Sequence, residues 1–340
     1  MRQTRILAVT AVAALSMAAA ACSGSAEPRG SDAQKPIDKV KYSTSFGNFG
    51  REAYVYVAIE KGYFADAGIE VTVTAGNGTG DVLTKMAGGQ IDFAPVDGTG
   101  FLLQVGAGKV KDITAVAAIQ QRSLAAIMTL EDRGITSPKD LEGRTVGDPQ
   151  GSTIGLLFPM YAKLAGIDAA KVKFVNLPAP QLPANLAAGS VDTIGQFVVG
   201  KPTIEKAAGG KKTVLLPYSD YLTDLYGNML VTSSKTAKDK PDLVKRFRDA
   251  LMKGLQYAVD NPTEAGQILN KNQPTQNAEV AAGELTLMAA YVRSASSGVP
   301  VGAMDSQRVA RCIAILQGAN MIPAGLTPEQ VVSFDLTPKA

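Results

Sequence analysis

The chain has 340 residues, 46% hydrophobic and 19% charged, and a formal net charge of +3, of which Arg2 and Arg5 supply two. That length allows two domains, or one large one, with ample core, and a near-neutral body offers no bulk charge for holding nucleic acid. Histidine is absent, which removes Ser–His and Cys–His pairs, His-ligated metals and His general bases, and leaves only carboxylate or lysine chemistry open.

Residues 1–21 read as an export signal. Arg2 and Arg5 precede the apolar run Ile6–Ala21, which is short for a membrane span and ends in small residues. Ala19-Ala20-Ala21-Cys22 resembles a bacterial lipobox, in which the Cys becomes the lipidated first residue. Ala19 stands where that motif has an aliphatic residue, so an ordinary signal with a free Cys22 is the alternative. Residues 22–36 are rich in Ser, Gly and Pro and read as a flexible, lipid-anchored tether. Cys312, the other cysteine, falls on an apolar helical stripe with Val309, Ile313 and Leu316 and reads as a core residue.

From residue 40 the order is strand, glycine turn, helix, three times over. Val40–Ser45, Ile69–Thr74 and Ile91–Val96 are predicted strands; Arg51–Gly62, Asp81–Ala87 and Phe101–Val105 are the helices after them. Such alternation predicts a parallel, doubly wound sheet. Two apolar runs, Ile113–Ile119 and Ala125–Leu130, lead out of this first lobe. Strands at Thr145–Gly147, Val172–Val175, Val191–Ile194 and Val214–Leu216 make a second. Asn228–Thr232 returns as a strand, expected antiparallel to Ala125–Leu130. Pro241–Asn261 is a helix whose stripe is Leu243, Val244, Phe247, Leu251, Leu255 and Ala258. Further helices near Ala278–Arg293 and Asp305–Gly318 precede a loose tail. The expected organisation is α/β: lobe 1 from residues 37–124 with 227–340, lobe 2 from 125–226, joined by two crossing segments.

A short repeat supports two similar lobes. MAGGQID at residues 86–92 aligns without gaps with LAAGSVD at 186–192. In each a helix stops at Gly, a polar residue follows and a strand begins.

Ligands of open α/β sheets bind beyond the carboxyl ends of the strands. Four turns qualify: Phe46–Arg51, Gly76–Asp81, Asp97–Gly100 and Gln150–Thr153, each offering backbone N–H groups at a helix start. Ser152 and Thr153 add hydroxyls that either meet a ligand or cap the helix. Gly76, Gly78 and Gly80 give G-x-G-x-G, not the dinucleotide fingerprint, and an exported chain rarely meets NAD. Phe46, Phe49, Phe101, Phe197, Tyr218, Tyr221 and Tyr226 are each core or rim candidates, and together favour a ligand with a flat or apolar part. No catalytic group, metal or cofactor is expected.

Ala53–Thr72 (AYVYVAIEKGYFADAGIEVT) with Ala87–Phe93 (AGGQIDF) resembles the solute-binding components of ABC importers for sulfonates, taurine, nitrate and thiamine pyrimidine precursors. Leu141–Thr153 (LEGRTVGDPQGST) and Pro241–Phe247 (PDLVKRF) are similar to its later signatures, and the resemblance spans about residues 38–270. It implies a type 2 periplasmic-binding (Venus-flytrap) fold that closes on a small organic ligand. It also implies partners, an ABC permease with a cytosolic ATPase, and a monomer lipid-anchored to the outer face of the bacterial cytoplasmic membrane. Carried over, the family's cleft includes Asn48, Gly76, Asn77, Gly78, Thr79, Asp97, Gly98, Thr99, Ser152, Thr153 and Gln196; the aromatic candidates beside it are Phe46, Phe197, Tyr218 and Tyr226. Amino-acid-binding relatives place an Arg after the third strand, where this chain has Gly98-Thr99-Gly100, which disfavours a free amino acid. A ligand-sensing subunit, or an enzyme of this fold such as those of menaquinone synthesis, are the alternatives.

Overall fold

The computed structural model describes residues 37–294 and 298–339. The export signal (1–21), the tether (22–36) and Cys22 lie outside the described residues.

Among the described residues ten strands form two five-stranded sheets. The first contains β1 (Asp38–Ser43), β2 (Ile69–Thr74), β3 (Phe93–Asp97), β4 (Ile113–Ala118) and β10 (Asn228–Ser233), in the order β2-β1-β3-β10-β4. The second contains β5 (Ala125–Leu130), β6 (Thr145–Asp148), β7 (Lys173–Asn176), β8 (Thr193–Phe197) and β9 (Thr213–Pro217), in the order β7-β6-β8-β5-β9. The two orders match place for place, with the antiparallel strand fourth in each: β10 pairs antiparallel with β3 and β4, and β5 with β8 and β9. The protein is therefore an α/β molecule of two lobes.

This pairing corrects two expectations. The sheets are mixed rather than wholly parallel, and Asn228–Ser233 does not pair with Ala125–Leu130. Each crossing instead carries the chain from the edge strand of one sheet to the inner antiparallel strand of the other, β4 to β5 and β9 to β10. Both β4 and β5 are apolar but for one threonine each, Thr114 and Thr129, and fully buried. For β5, flanked by strands on both edges, that is ordinary. For β4 the cover comes from the C-terminal tail: Ala115 donates to Val331 O (2.8 Å), and Ser333 donates to Ala115 O (3.0 Å). The tail is thus anchored, not loose.

The predicted helix beyond β10 runs Pro241–Asp260, and all six residues of its apolar stripe are buried. Phe247 stacks on Phe93 with centroids 4.1 Å apart and lies 5.1 Å from Phe64, tying helix to sheet. Its neighbour Pro262–Asn272 begins at the Pro that ends it.

The sequence repeat occupies equivalent places, one copy ahead of β3 and the other ahead of β8, and its aspartates do the same work. Asp92 Oδ2 accepts the Lys41 amide of β1 (2.8 Å), and Asp192 Oδ2 accepts the Thr145 amide of β6 (2.8 Å). Their main-chain carbonyls accept the hydroxyls of Thr232 in β10 and Thr129 in β5, both at 2.8 Å. Each Asp therefore latches three neighbouring strands. Burial works to raise the Asp192 carboxyl, but the Thr145 amide and hydroxyl and the nearby Arg144 outweigh it and hold it below the usual range.

Losing either carboxylate strips a partner from a strand N–H that water can still reach, at a cost of about 0.5–1.5 kcal/mol. Asp92→Ala and Asp192→Ala are each expected to lower the unfolding free energy by about that much in urea titrations; a neutral result for one would show that the latch is not shared.

Candidate ligand-binding cleft

The strand tips converge as glycine-bearing loops, and those of β1 and β2 are laced together. Gly47 donates to Gly76 O (2.9 Å), Gly78 donates to Ser45 O (2.9 Å), and Gly76 donates to Thr44 Oγ1 (3.1 Å). A Cβ on Gly76 would stand 2.0 Å from Thr44 O, so only glycine allows this approach. Beneath the pair lies Glu52, 1% exposed, whose Oε1 accepts the Ser45 amide and hydroxyl and whose Oε2 accepts Tyr54 OH (3.2 Å). Burial pushes its carboxyl up to about 7, against the opposing pull of Ser45 and Arg51.

Phe46 is 41% exposed and parallel to Phe49, with Arg51 4.6 Å over the Phe49 ring. Asn48 belongs to a closed ring of side chains: its Nδ2 donates to Gln273 Oε1 (3.1 Å), its Oδ1 accepts Tyr56 OH (2.9 Å), and Gln273 Nε2 donates to Tyr56 OH (3.1 Å). Asn77 bridges Phe46, and Thr79 Oγ1 accepts the Asp97 amide (3.1 Å).

Asp97 ends β3 and caps the Gly98–Gly106 helix, its Oδ1 accepting Gly100 N–H at 2.7 Å. The same oxygen accepts Thr153 Oγ1 of the other sheet's tip at 3.3 Å, so the lobes touch here. Gly98 donates to Gly227 O in the second crossing segment (2.9 Å). Thr99 is buried, and its Oγ1 has no protein partner.

On the second lobe Ser152 caps the Thr153–Ala165 helix and donates to Asp148 Oδ2, while Asp148 Oδ1 is buried without a partner. Asp97 and Asp148 are thus joined through the adjacent hydroxyls of Ser152 and Thr153. Burial raises both carboxyls to about 6, Asp97 against the opposing bonds from Gly100 and Thr153, Asp148 against those from Ser152 and Gly155. No lysine or arginine contributes to either. Gln196, half-buried at the β8 tip, accepts the Phe197 amide (2.8 Å).

Two aromatic candidates stand elsewhere. Tyr218 is fully buried, stacked on Tyr161 at 4.2 Å, and donates to Ile154 O. Tyr226 is 2% exposed, its hydroxyl accepting the Asp305 amide and its ring lying 4.0 Å below Arg308. Phe101 is core. Phe197 packs against the first lobe's main core, which Val198 and Val199 also enter.

Sequence reasoning missed Glu52, Asp148 and Glu284. Glu284, 1% exposed on the Ala278–Val292 helix, accepts the Arg51 amide (3.1 Å) and faces Thr203 of the second lobe at 3.5 Å. It borders a cavity of about 200 Å³ between Phe49, Gly50, Thr203 and that helix. Only Asp148 had a signal: an acid at a strand's end, directly before a glycine turn.

With this geometry in place, the comparisons decide the family. A model described as NMT1/THI5 like matches residues 51–265. The chain belongs to the NMT1/THI5-like family. Among its relatives is the formylaminopyrimidine-binding protein of Halalkalibacterium halodurans, 25% identical, with 82% of this chain and 85% of the relative covered. The riboflavin-binding protein RibY of Chloroflexus aurantiacus is 26% identical over 98% of this chain and 95% of its own length. The fold matches the periplasmic aliphatic sulphonate binding protein SsuA from Escherichia coli with a TM-score of 0.68 and 14% identity, covering 87% of this chain and 92% of that one. Family members of this kind capture a solute. Among the described residues no helix is long and apolar enough to cross a membrane, and no cluster of His, Cys, Asp or Glu could hold a metal.

Because the folded pKa of Asp97 lies above the unfolded one, the native state binds the extra proton between about pH 4 and 6, and the group opposes folding once ionised. Relative to Asp97→Asn, the wild type is expected to lose about 3 kcal/mol of stability as pH rises through that window, and nothing further above about 7. Urea unfolding of both proteins across pH 4–8 reads the difference; a pH-independent gap would contradict the buried carboxyl.

Proposed function

We propose that the protein is the extracytoplasmic solute-binding component of an ABC importer, closing two lobes on a small organic ligand and presenting it to a membrane permease with a cytosolic ATPase. The observation that carries this reading is the Asp97–Thr153 contact: tips of two equivalently built sheets meet across a cleft, which suits hinge closure. In this reading lobe 1 comprises residues 37–124 with 227–340, and lobe 2 residues 125–226. Phe46, Asn48, Gly76–Thr79 and Asp97–Thr99 line one side; Ser152, Thr153, Gln196 and Phe197 line the other. Tyr218 and Tyr226 serve the scaffold. No bond is made or broken, and no cofactor takes part.

Among ligand classes, the tips favour a nitrogen-bearing heterocycle over a sulfonate or nitrate. Asp97 and Asp148 are buried at the meeting of the lobes without a compensating cation, so an anion there would add repulsion to desolvation. Thr99 Oγ1 and Asp148 Oδ1, buried and unpartnered, suit a ligand that supplies N–H donors. The formylaminopyrimidine and riboflavin named for two relatives are of that kind.

A thermal-shift and calorimetric series with a formylaminopyrimidine, riboflavin, taurine and nitrate tests the ligand class. One of the first two is expected to raise the melting temperature. A larger shift with taurine would reverse the preference, and saturable turnover of any of them would replace binding by catalysis.

The anchor is a separate part of the proposal, resting on the Cys22 motif alone. Radiolabelled lipid is expected on the wild type and absent from Cys22→Ala; equal labelling would remove the anchor and leave a monomeric exported protein.

A further inference from the structure

Hinge closure concentrates backbone rotation in the two crossing segments, residues 119–124 and 218–227. Main-chain bonds join them at both ends: Ile119 donates to Asn228 O (2.7 Å), Gly227 to Gln120 O (3.1 Å), and Ser123 to Leu225 O (2.9 Å). A Cβ on Gly227 would stand 2.8 Å from Arg122 O, so the segments run closer than other residues permit. Between those bonds the carbonyls of Gln121, Thr223 and Asp224 have no ladder partner. All three are met by one side chain. Arg308, in the first turns of the Ser306–Gly318 helix, donates Nε to Asp224 O (2.9 Å) and Nη2 to Gln121 O, with a longer contact to Thr223 O at 3.4 Å. Its Nη1 reaches Gln121 Oε1 (3.3 Å), and its plane lies 4.0 Å over the Tyr226 ring.

We infer that Arg308 is a positioning residue for ligand capture: it clamps the two crossing segments in the lobe-closed arrangement without touching the ligand. Its rigid planar fork can serve carbonyls on two segments while stacking on an aromatic face, which a lysine ammonium cannot. The bonds are present while Thr153 meets Asp97 across the cleft. Turning one lobe against the other changes φ and ψ in both segments and draws the converging carbonyls apart, so the fork favours closure and its loss favours opening. Neighbouring bonds support the grip: Asp305 N–H to Tyr226 OH (3.1 Å) and Cys312 Sγ to Asp224 O (3.0 Å). Arg308 lies beyond residues 51–265, where the family model matches.

The inference rests on the two lobes opening and closing, not on which solute is captured, so its test needs no ligand. Amide hydrogen exchange and small-angle scattering would be measured on the ligand-free full chain, on Arg308→Met and on Arg308→Lys. In both variants exchange at residues 119–124 and 225–228 is expected to quicken about tenfold, as for a lost charge-assisted bond. Exchange in β1 and β6 stays unchanged, and the radius of gyration grows by roughly 1 Å on an expected 19 Å or so. Full rescue by Lys would reduce the role to charge. A uniform rise in exchange would make Arg308 a stability residue only, and an unchanged radius in both variants would overturn the clamp. If Arg308→Met does not melt cooperatively, Arg308→Lys decides alone; failure of that variant to fold also overturns the inference.

Discussion

Everything in this molecule depends on the exchange of one strand between sheets. β10 completes the first sheet and β5 the second, and each arrives from the opposite lobe. A strand placed inside a sheet gains hydrogen bonds on both edges and apolar cover on both faces, so neither lobe is complete without its crossing segment. That makes the connection between lobes firmly rooted at both ends. Rotation is forced into a few residues between the rooted strands, which is where Gly227 and the Arg308 fork are found.

The duplicated aspartates play the complementary part. Asp92 and Asp192 hold three strands at the same level in each sheet, which presents the tips of β3 and β8 at matching heights. From there the lobes diverge. In the first, Asp97 begins a regular helix; in the second, Phe197 is followed by the 3-10 turn Val198–Gly200, whose valines enter the other lobe's core. At these two equivalent tips the first lobe offers an acid and the second an apolar wedge, while the second lobe's buried acid, Asp148, comes from the end of β6.

The elements with strong periodicity were legible in advance. The Pro241–Asp260 helix and β2 match their expected spans closely, because an amphipathic stripe and an alternating strand are local patterns. Pairing was not legible: Asn228–Ser233 was recognisable as a strand, but its partners lie some 110 to 140 residues away and nothing local names them. Tyr218 and Tyr226 follow a strand tip in sequence, yet the chain turns them inward, where each hydroxyl finds a main-chain partner. Glu52 and Glu284 look like helix-surface acids in the sequence; only packing reveals that they are enclosed.

The sequence by itself determined the class of the protein: its α/β alternation, its two similar halves, the family it belongs to and the chemistry that a chain without histidine forgoes. These follow from residue types and spacings, which act within a few turns of chain. The tertiary structure alone decided which strand enters which sheet, that Asp97 and Asp148 lie buried without a counter-charge, and that Arg308 closes on both crossing segments. Those are properties of distance and dielectric between residues far apart in the chain, and no local pattern encodes them.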